Sequence, residues 1–144
     1  MNKFKITIYG IKNCDKIKKA KTWLELQDIG YTFVDYRKDG ISDEFLQRQI
    51  EKIGVDSLIN KRGTTWRNLS ETDKSNLDNI DHAVNLLKTY PALIKRPLLI
   101  ANPIADEPTI KLLGFSAKQY LNFFNELFTK TSPSHSMNMK KGIA

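Results

Sequence analysis

Phe4-Lys5-Ile6-Thr7-Ile8-Tyr9-Gly10-Ile11-Lys12-Asn13-Cys14-Asp15 decides how the rest of the chain is read. Phe4, Ile6 and Ile8 alternate with Lys5, Thr7 and Tyr9, the period of two that marks a half-buried strand. Gly10 to Asn13 turns the chain. From Asp15 to Gln27, the residues Ile17, Ala20, Trp23 and Leu24 recur at helical spacing, with Asn13 or Cys14 at the capping position and Gly30 just past the end. Tyr31 to Tyr36 is β-branched and aromatic, so a second strand follows, and Arg37 to Gly40 breaks it. Strand, helix and strand in this order form a β-α-β unit, whose right-handed crossover makes the two strands parallel.

Beyond this unit the pattern turns helical. Ser42 caps a stretch carrying Phe45, Leu46, Ile50 and Ile53 to Gly54. Leu58 and Ile59 form a short apolar patch, and Lys61 to Arg67 a polar loop. Ser70 to Lys74 and Asp81 to Lys88 read as two further helical pieces, closed by Pro91. Ile94 to Ala101 is a strand entered through Pro97, and Thr109 to Leu113 is another, after a turn holding Asn102, Pro103, Asp106 and Pro108. Their proximity predicts a hairpin. Ser116 caps a last helix with Tyr120, Leu121, Phe124, Leu127 and Phe128 on one face. From Thr129 onward apolar anchors vanish, so residues 129–144 are expected to be a disordered tail. The order predicts an α/β domain over 1–128: a mixed four-stranded sheet with a helical insertion at about 41–92. In α/β sheets sites gather at the carboxyl edge of the parallel strands, where Gly10 to Cys14 would lie.

Composition narrows the function classes. At 144 residues one domain is the default, since a domain takes roughly 100 to 200 residues. One cysteine cannot form an internal disulfide, and the N-terminus enters a strand without a signal-like apolar run, so a reducing, cytoplasmic setting is expected. No apolar stretch approaches the roughly 20 residues that span a bilayer. With one Cys, and His82 and His135 far apart, no metal site is expected. The net charge of +7 is localised: residues 1–40 hold nine Lys/Arg against five Asp/Glu, and residues 129–144 hold three against none. Lys12, Lys16, Lys18, Lys19 and Lys21 lie within seven positions of Cys14. Taken at face value the charge would suggest direct nucleic-acid binding, but no helix-turn-helix signature accompanies it.

Cys14 carries the chemistry. A free thiol has a pKa near ~8.5, and helix N-termini and neighbouring cations bring it down to about 3.5 to 7.5. A buried inert cysteine is the usual alternative. The position between strand and helix, with Lys12, Asn13 and Asp15 around it, favours a thiolate able to attack a disulfide, a sulfenic acid or an oxyanion. Arg96, before Pro97, and Arg62, before Gly63, are suited to bidentate contact with a carboxylate or oxyanion. Proline at a strand start is ordinary, and by residue type alone its peptide bond would be trans.

The blocks Tyr9 to Asp15, Lys18-Lys19-Ala20, Trp23-Leu24, Asp35 to Gly40, Asn60 to Arg67, Ile94 to Leu99 and Leu113-Gly114-Phe115 together resemble the arsenate-reductase-like (ArsC/Spx) family, its YffB-like subgroup in particular. The resemblance runs from about Lys3 to Phe128. It implies a thioredoxin-like fold with an inserted helical subdomain, a redox cysteine at Cys14, Arg62 and Arg96 lining an anion or thiol-substrate pocket, and a cis Pro97 opposite the cysteine. Glutathione-coupled arsenate reductases of the family use a third arginine downstream of the Arg-Pro strand, whereas only Lys111 stands between Ala101 and Phe115 here. Gly10 stands where those enzymes carry a histidine before the cysteine. Spx-type regulators often carry Cys-x-x-Cys, and the second position here is Ile17.

The expected function is a monothiol oxidoreductase, with no bound cofactor and glutathione as co-substrate. Cys14 would form a mixed disulfide, Lys12 and the helix N-terminus would stabilise the thiolate, Asn13 and Pro97 would help frame the pocket, and Arg62 and Arg96 would hold carboxylates or an oxyanion. Its partners would be a small-molecule thiol and a disulfide or oxyanion. The alternatives are a Spx-like regulator that binds RNA polymerase and a true arsenate reductase.

Overall fold

The computed structural model describes residues 4–104 and 109–131. Four strands, β1 (Phe4–Gly10), β2 (Thr32–Asp35), β3 (Leu98–Pro103) and β4 (Ile110–Leu113), form one sheet in the order β2-β1-β3-β4. β1 pairs antiparallel with β3, placing Ile6 opposite Ala101 and Ile8 opposite Leu99, and β3 pairs antiparallel with β4. Helix α1 (Asp15–Leu26) crosses from β1 to its neighbour β2, and α7 (Ala117–Thr131) follows β4. The result is the mixed α/β sheet that the element order predicts.

The central strand departs from simple alternation. Besides Phe4, Ile6 and Ile8, Thr7 is also buried, and Lys5 is the one exposed residue described in β1. A strand between two others, with both faces covered, loses the period of two that an edge or one-sided strand shows. Ile17, Ala20, Trp23 and Leu24 of α1 join Leu99 and Ala101 of β3 and Tyr120, Phe124 and Leu127 of α7 in one core. Trp23 meets Tyr120 edge-on at 5.6 Å and stacks on Phe124 at 5.8 Å, so one aromatic seam fastens the two helices. The Tyr120 hydroxyl is buried without a hydrogen-bond partner among the described residues, and burial pushes its pKa up, so it stays neutral.

Between β2 and β3 lie α2 (Asp43–Ile53), α3 (Val55–Leu58), α4 (Thr64–Arg67), α5 (Glu71–Ser75), α6 (Ile80–Thr89) and a 3-10 turn at Pro91–Leu93. The chain divides into two compact units, Met1–Val34 with Arg96–Ala144, and Asp35–Lys95. The second unit has its own core, with Leu46, Leu58, Ile59, Leu77, Ala83, Val84, Leu87, Leu93 and Ile94 buried. Ser42, Ser70 and Asn79 cap α2, α5 and α6, each side chain accepting from an amide three residues on. Lys88 of α6 reaches Asp43 of α2 at 2.8 Å.

Three expectations are corrected. The strand expected over Ile94 to Ala101 begins at Leu98, and Ile94 instead bridges Ile59 inside the second unit. Proline offers no N–H to a ladder, so pairing with β1 begins after Pro97, at Leu98; the Arg96-Pro97 bond is cis. The polar loop Lys61 to Arg67 ends in the helical turn α4, too short to leave a periodic signature. Helix α7 reaches Thr131, past the expected start of the tail, and the Thr129 hydroxyl donates to the Asn125 carbonyl one turn back. Residues 132–144 of that tail, and Asp106 and Pro108 of the expected turn, lie outside the described residues.

Candidate active site

The register of the sheet determines what can meet at its edge. β1 ends at Gly10 and β3 begins at Leu98, with Tyr9 opposite Leu98 in an antiparallel pair. The loop after β1 and the residues before β3 therefore emerge at the same end of the sheet. Lys12, Asn13 and Cys14 come from one, Arg96 and Pro97 from the other. Pro97 is buried and its carbonyl accepts from the amide of Gly114, which follows β4 with φ of 84°. A left-handed residue is needed there for the chain to turn back onto Pro97, which glycine supplies without strain.

Cys14 is the N-cap of α1, with extended φ and ψ of −81° and 131°. Its amide donates to the Ile11 carbonyl and its own carbonyl accepts from Lys18, closing the first turn. The thiol is free and half-buried. Burial pushes its pKa up, but the backbone amides of Ile17 and Lys16 and the guanidinium of Arg96 outweigh this, and the thiol sits below its ordinary value. The amides of Ile17 and Lys16 favour the anionic sulfur by hydrogen bonding at the positive end of the helix, although no side-chain capping bond of regular geometry forms. Arg96 favours the thiolate as a hydrogen-bond donor and, to a smaller extent, through its charge. Lowering the thiol pKa in this way favours the thiolate, which is the nucleophilic form.

Lys12 and Asn13 are exposed on the loop, as are Lys16, Lys18 and Lys19 along α1. The thiol is held down by two amides and one arginine, rather than by the lysine run that marks the region in the sequence. Arg62 belongs to the other unit, where it is exposed and its amide donates to Asn60 Oδ1 at 3.1 Å. Among the described residues no group of three or more His, Cys, Asp or Glu is placed to hold a metal ion, and no helix is long and apolar enough to cross a membrane.

Gly10 explains two features of the sequence at once. A Cβ at this position would strike the Ile17 side chain, lying 2.8 Å from its Cγ1, and would come within 3.9 Å of Arg96 Cβ. Ile17 is fully buried. The glycine before the cysteine and the isoleucine three residues after it thus share one small volume. Sequence reasoning treats them as separate departures from a family pattern, because nothing in their spacing reveals the contact. The amides of Lys16 and Ile17, by contrast, were foreseeable from any helix that opens on a cysteine.

A mixed sheet with a proline loop at the same edge as the N-terminal turn of a cysteine-capped helix defines a thioredoxin-like protein with a single cysteine at its candidate site. The family model for the ArsC family matches residues 9–123, and the chain belongs to that family. Among solved structures, a YffB protein is similar at 37% identity and a TM-score of 0.68, over 81% of this chain and 96% of that one. An arsenate reductase (ArsC) related protein from Brucella melitensis is 40% identical with a TM-score of 0.65, over 86% and 98% of the two chains. The global transcriptional regulator Spx 1 of Bacillus cereus is 26% identical over 99 residues, 66% of this chain and 72% of its own length. The resemblance carried by the sequence blocks is thus to the right family.

Proposed function

We propose that the protein is a cytoplasmic monothiol oxidoreductase that uses glutathione as its co-substrate. The observation that carries this reading is the Cys14 thiol held below its ordinary pKa by the α1 amides and Arg96. In the first step the Cys14 thiolate attacks one sulfur of a glutathione-containing disulfide. The S–S bond breaks, a Cys14–glutathione disulfide forms, and the other half leaves as a thiolate that takes a proton from water. In the second step the thiolate of reduced glutathione attacks the glutathione sulfur of the adduct. Cys14 is released as a thiolate and oxidised glutathione departs. Arg96 stabilises Cys14 as attacking and leaving group. Lys12, Asn13 and Pro97 frame the edge on which the reacting sulfur lies. Arsenate itself is the less supported substrate, because no third arginine stands between Ala101 and Phe115.

Mass spectrometry after incubation with oxidised glutathione tests this. One glutathionyl adduct on Cys14, formed more slowly in Arg96→Ala, is expected; a protein that stays unmodified sinks the redox reading. Similarity to a Spx regulator favours a second reading, a regulatory protein that docks on RNA polymerase. Recovery of RNA polymerase with the tagged protein, undiminished in Cys14→Ser, would favour it over the enzyme.

A further inference from the structure

β1 ends on a glycine that its backbone does not require. Gly40, Gly54 and Gly114 have positive φ, but Gly10 does not, so an L side chain would meet no dihedral strain there. Glycine weakens a strand, and its presence in one marks a close approach by another part of the chain. At Gly10 two parts approach. A Cβ would strike the side chain of Ile17, in the first turn of α1, lying 2.8 Å from its Cγ1, and would stand 3.9 Å from Cβ of Arg96, which leads into β3. Gly10 and Ile17 are buried and Arg96 is half-buried.

What an added methyl would displace bears on Cys14. Isoleucine in a helix is nearly confined to one χ1 rotamer, so Cγ1 of Ile17 moves chiefly with the backbone of α1. Ile17 belongs to the core that holds Ile8, Ala20, Leu24 and Leu99, and a densely packed interior passes a shift on to its neighbours. At 3.9 Å the Cβ would already touch Arg96, so relief from Ile17 in that direction moves Arg96. The Ile17 amide and the Arg96 guanidinium are the two strongest supports of the anionic sulfur, ahead of the Lys16 amide. Both supports spring from the residues that meet at Gly10.

We propose that Gly10 is a positioning residue: by presenting no side chain where β1, the first turn of α1 and the stem of Arg96 converge, it sets the approach of the Ile17 amide and the Arg96 guanidinium to the Cys14 sulfur. This rests on Cys14 being the reacting thiol, as proposed above. Gly10 brings no reacting group of its own and acts through Ile17 and Arg96. A glycine kept for packing alone would govern stability and leave the thiol unchanged.

The test follows the pH dependence of Cys14 alkylation by iodoacetamide in the folded protein, with Gly10→Ala made in three backgrounds: native, Ile17→Val and Ile17→Ala. In the native background Gly10→Ala should raise the midpoint by roughly half to one pH unit, part of the worth of a hydrogen bond to a charged group. The shift should be smaller in Ile17→Val, which lacks Cδ1 but keeps Cγ1, and should nearly vanish in Ile17→Ala, which lacks both. Should Gly10→Ala alone not fold, the other two backgrounds still decide, the valine one keeping the larger shift. An unchanged midpoint in Gly10→Ala, or a shift of equal size in Ile17→Val and Ile17→Ala, overturns the positioning role and leaves Cys14 as the nucleophile. A native midpoint at or above that of free cysteine overturns the activated thiol and the positioning role with it.

Discussion

At the residue scale, reactivity and packing meet within seven positions. Arg96 lowers the Cys14 pKa by a hydrogen bond and by charge, against the upward push of burial. Removing the guanidinium leaves burial opposed by the two amides alone, so the thiol pKa must rise. The pH dependence of iodoacetamide alkylation should show a midpoint below that of free cysteine in the native protein and a higher one in Arg96→Ala. Equal midpoints would assign the activation to the helix alone. The second prediction concerns Gly10 and Ile17, which compete for one volume. Gly10→Ala should destabilise by about 1 to 3 kcal/mol through overpacking. Ile17→Ala alone opens a cavity and also destabilises. The double variant should be more stable than the sum of the two losses implies, by urea denaturation of all four proteins. Simple additivity would mean that the side chains do not meet.

At the element scale, the short helices of Asp35–Lys95 depend on their ends. Isolated helices below about 12 residues are marginal in water, so α2 with 11 residues and α6 with 10 need packing and caps to persist. Ser42→Ala and Asn79→Ala should each cost about 1 kcal/mol in chemical denaturation, the usual worth of a cap. Glycine replacements should cost a few tenths. Equal losses for Ala and Gly would point to something other than the cap. These elements also show where sequence reading works. The cap at Ser42, the apolar faces of α1, α6 and α7, and the β3–β4 hairpin follow from local chemistry and were legible; the Asn79 cap was not, the helix being expected to begin at Asp81 and beginning at Ile80. The four-residue turns α3 and α4 were not, since one turn of helix has no period to detect. Ile94 was misassigned because a bridge to Ile59 and a ladder to β1 look alike in sequence, and the interruption at Pro97, which has no N–H to pair, was read as lying inside the strand. In the candidate site, Cys14 and Arg96 were legible by residue type. The meeting of Gly10 with Ile17 was not, because sequence does not record which residues share a volume.

For the whole molecule, charge and cysteine count act together. Asp35–Lys95 is balanced, so the entire +7 belongs to the unit that carries Cys14. Two such molecules repel as their thiols approach, and each thiol is half-buried beside a guanidinium. A Cys14–Cys14 bond between chains is therefore disfavoured, while a small anionic disulfide is attracted to the same surface. With no second cysteine, a mixed disulfide cannot be resolved within the chain. In the absence of reduced glutathione, treatment with oxidised glutathione should stop at one adduct per chain, with the protein running as a monomer on a non-reducing gel. Adding reduced glutathione should restore the free thiol, and raising the salt should slow adduct formation by screening the attraction. A disulfide-linked dimer as the main product would show that the protein resolves itself through a second copy, and the external thiol would lose its place in the cycle.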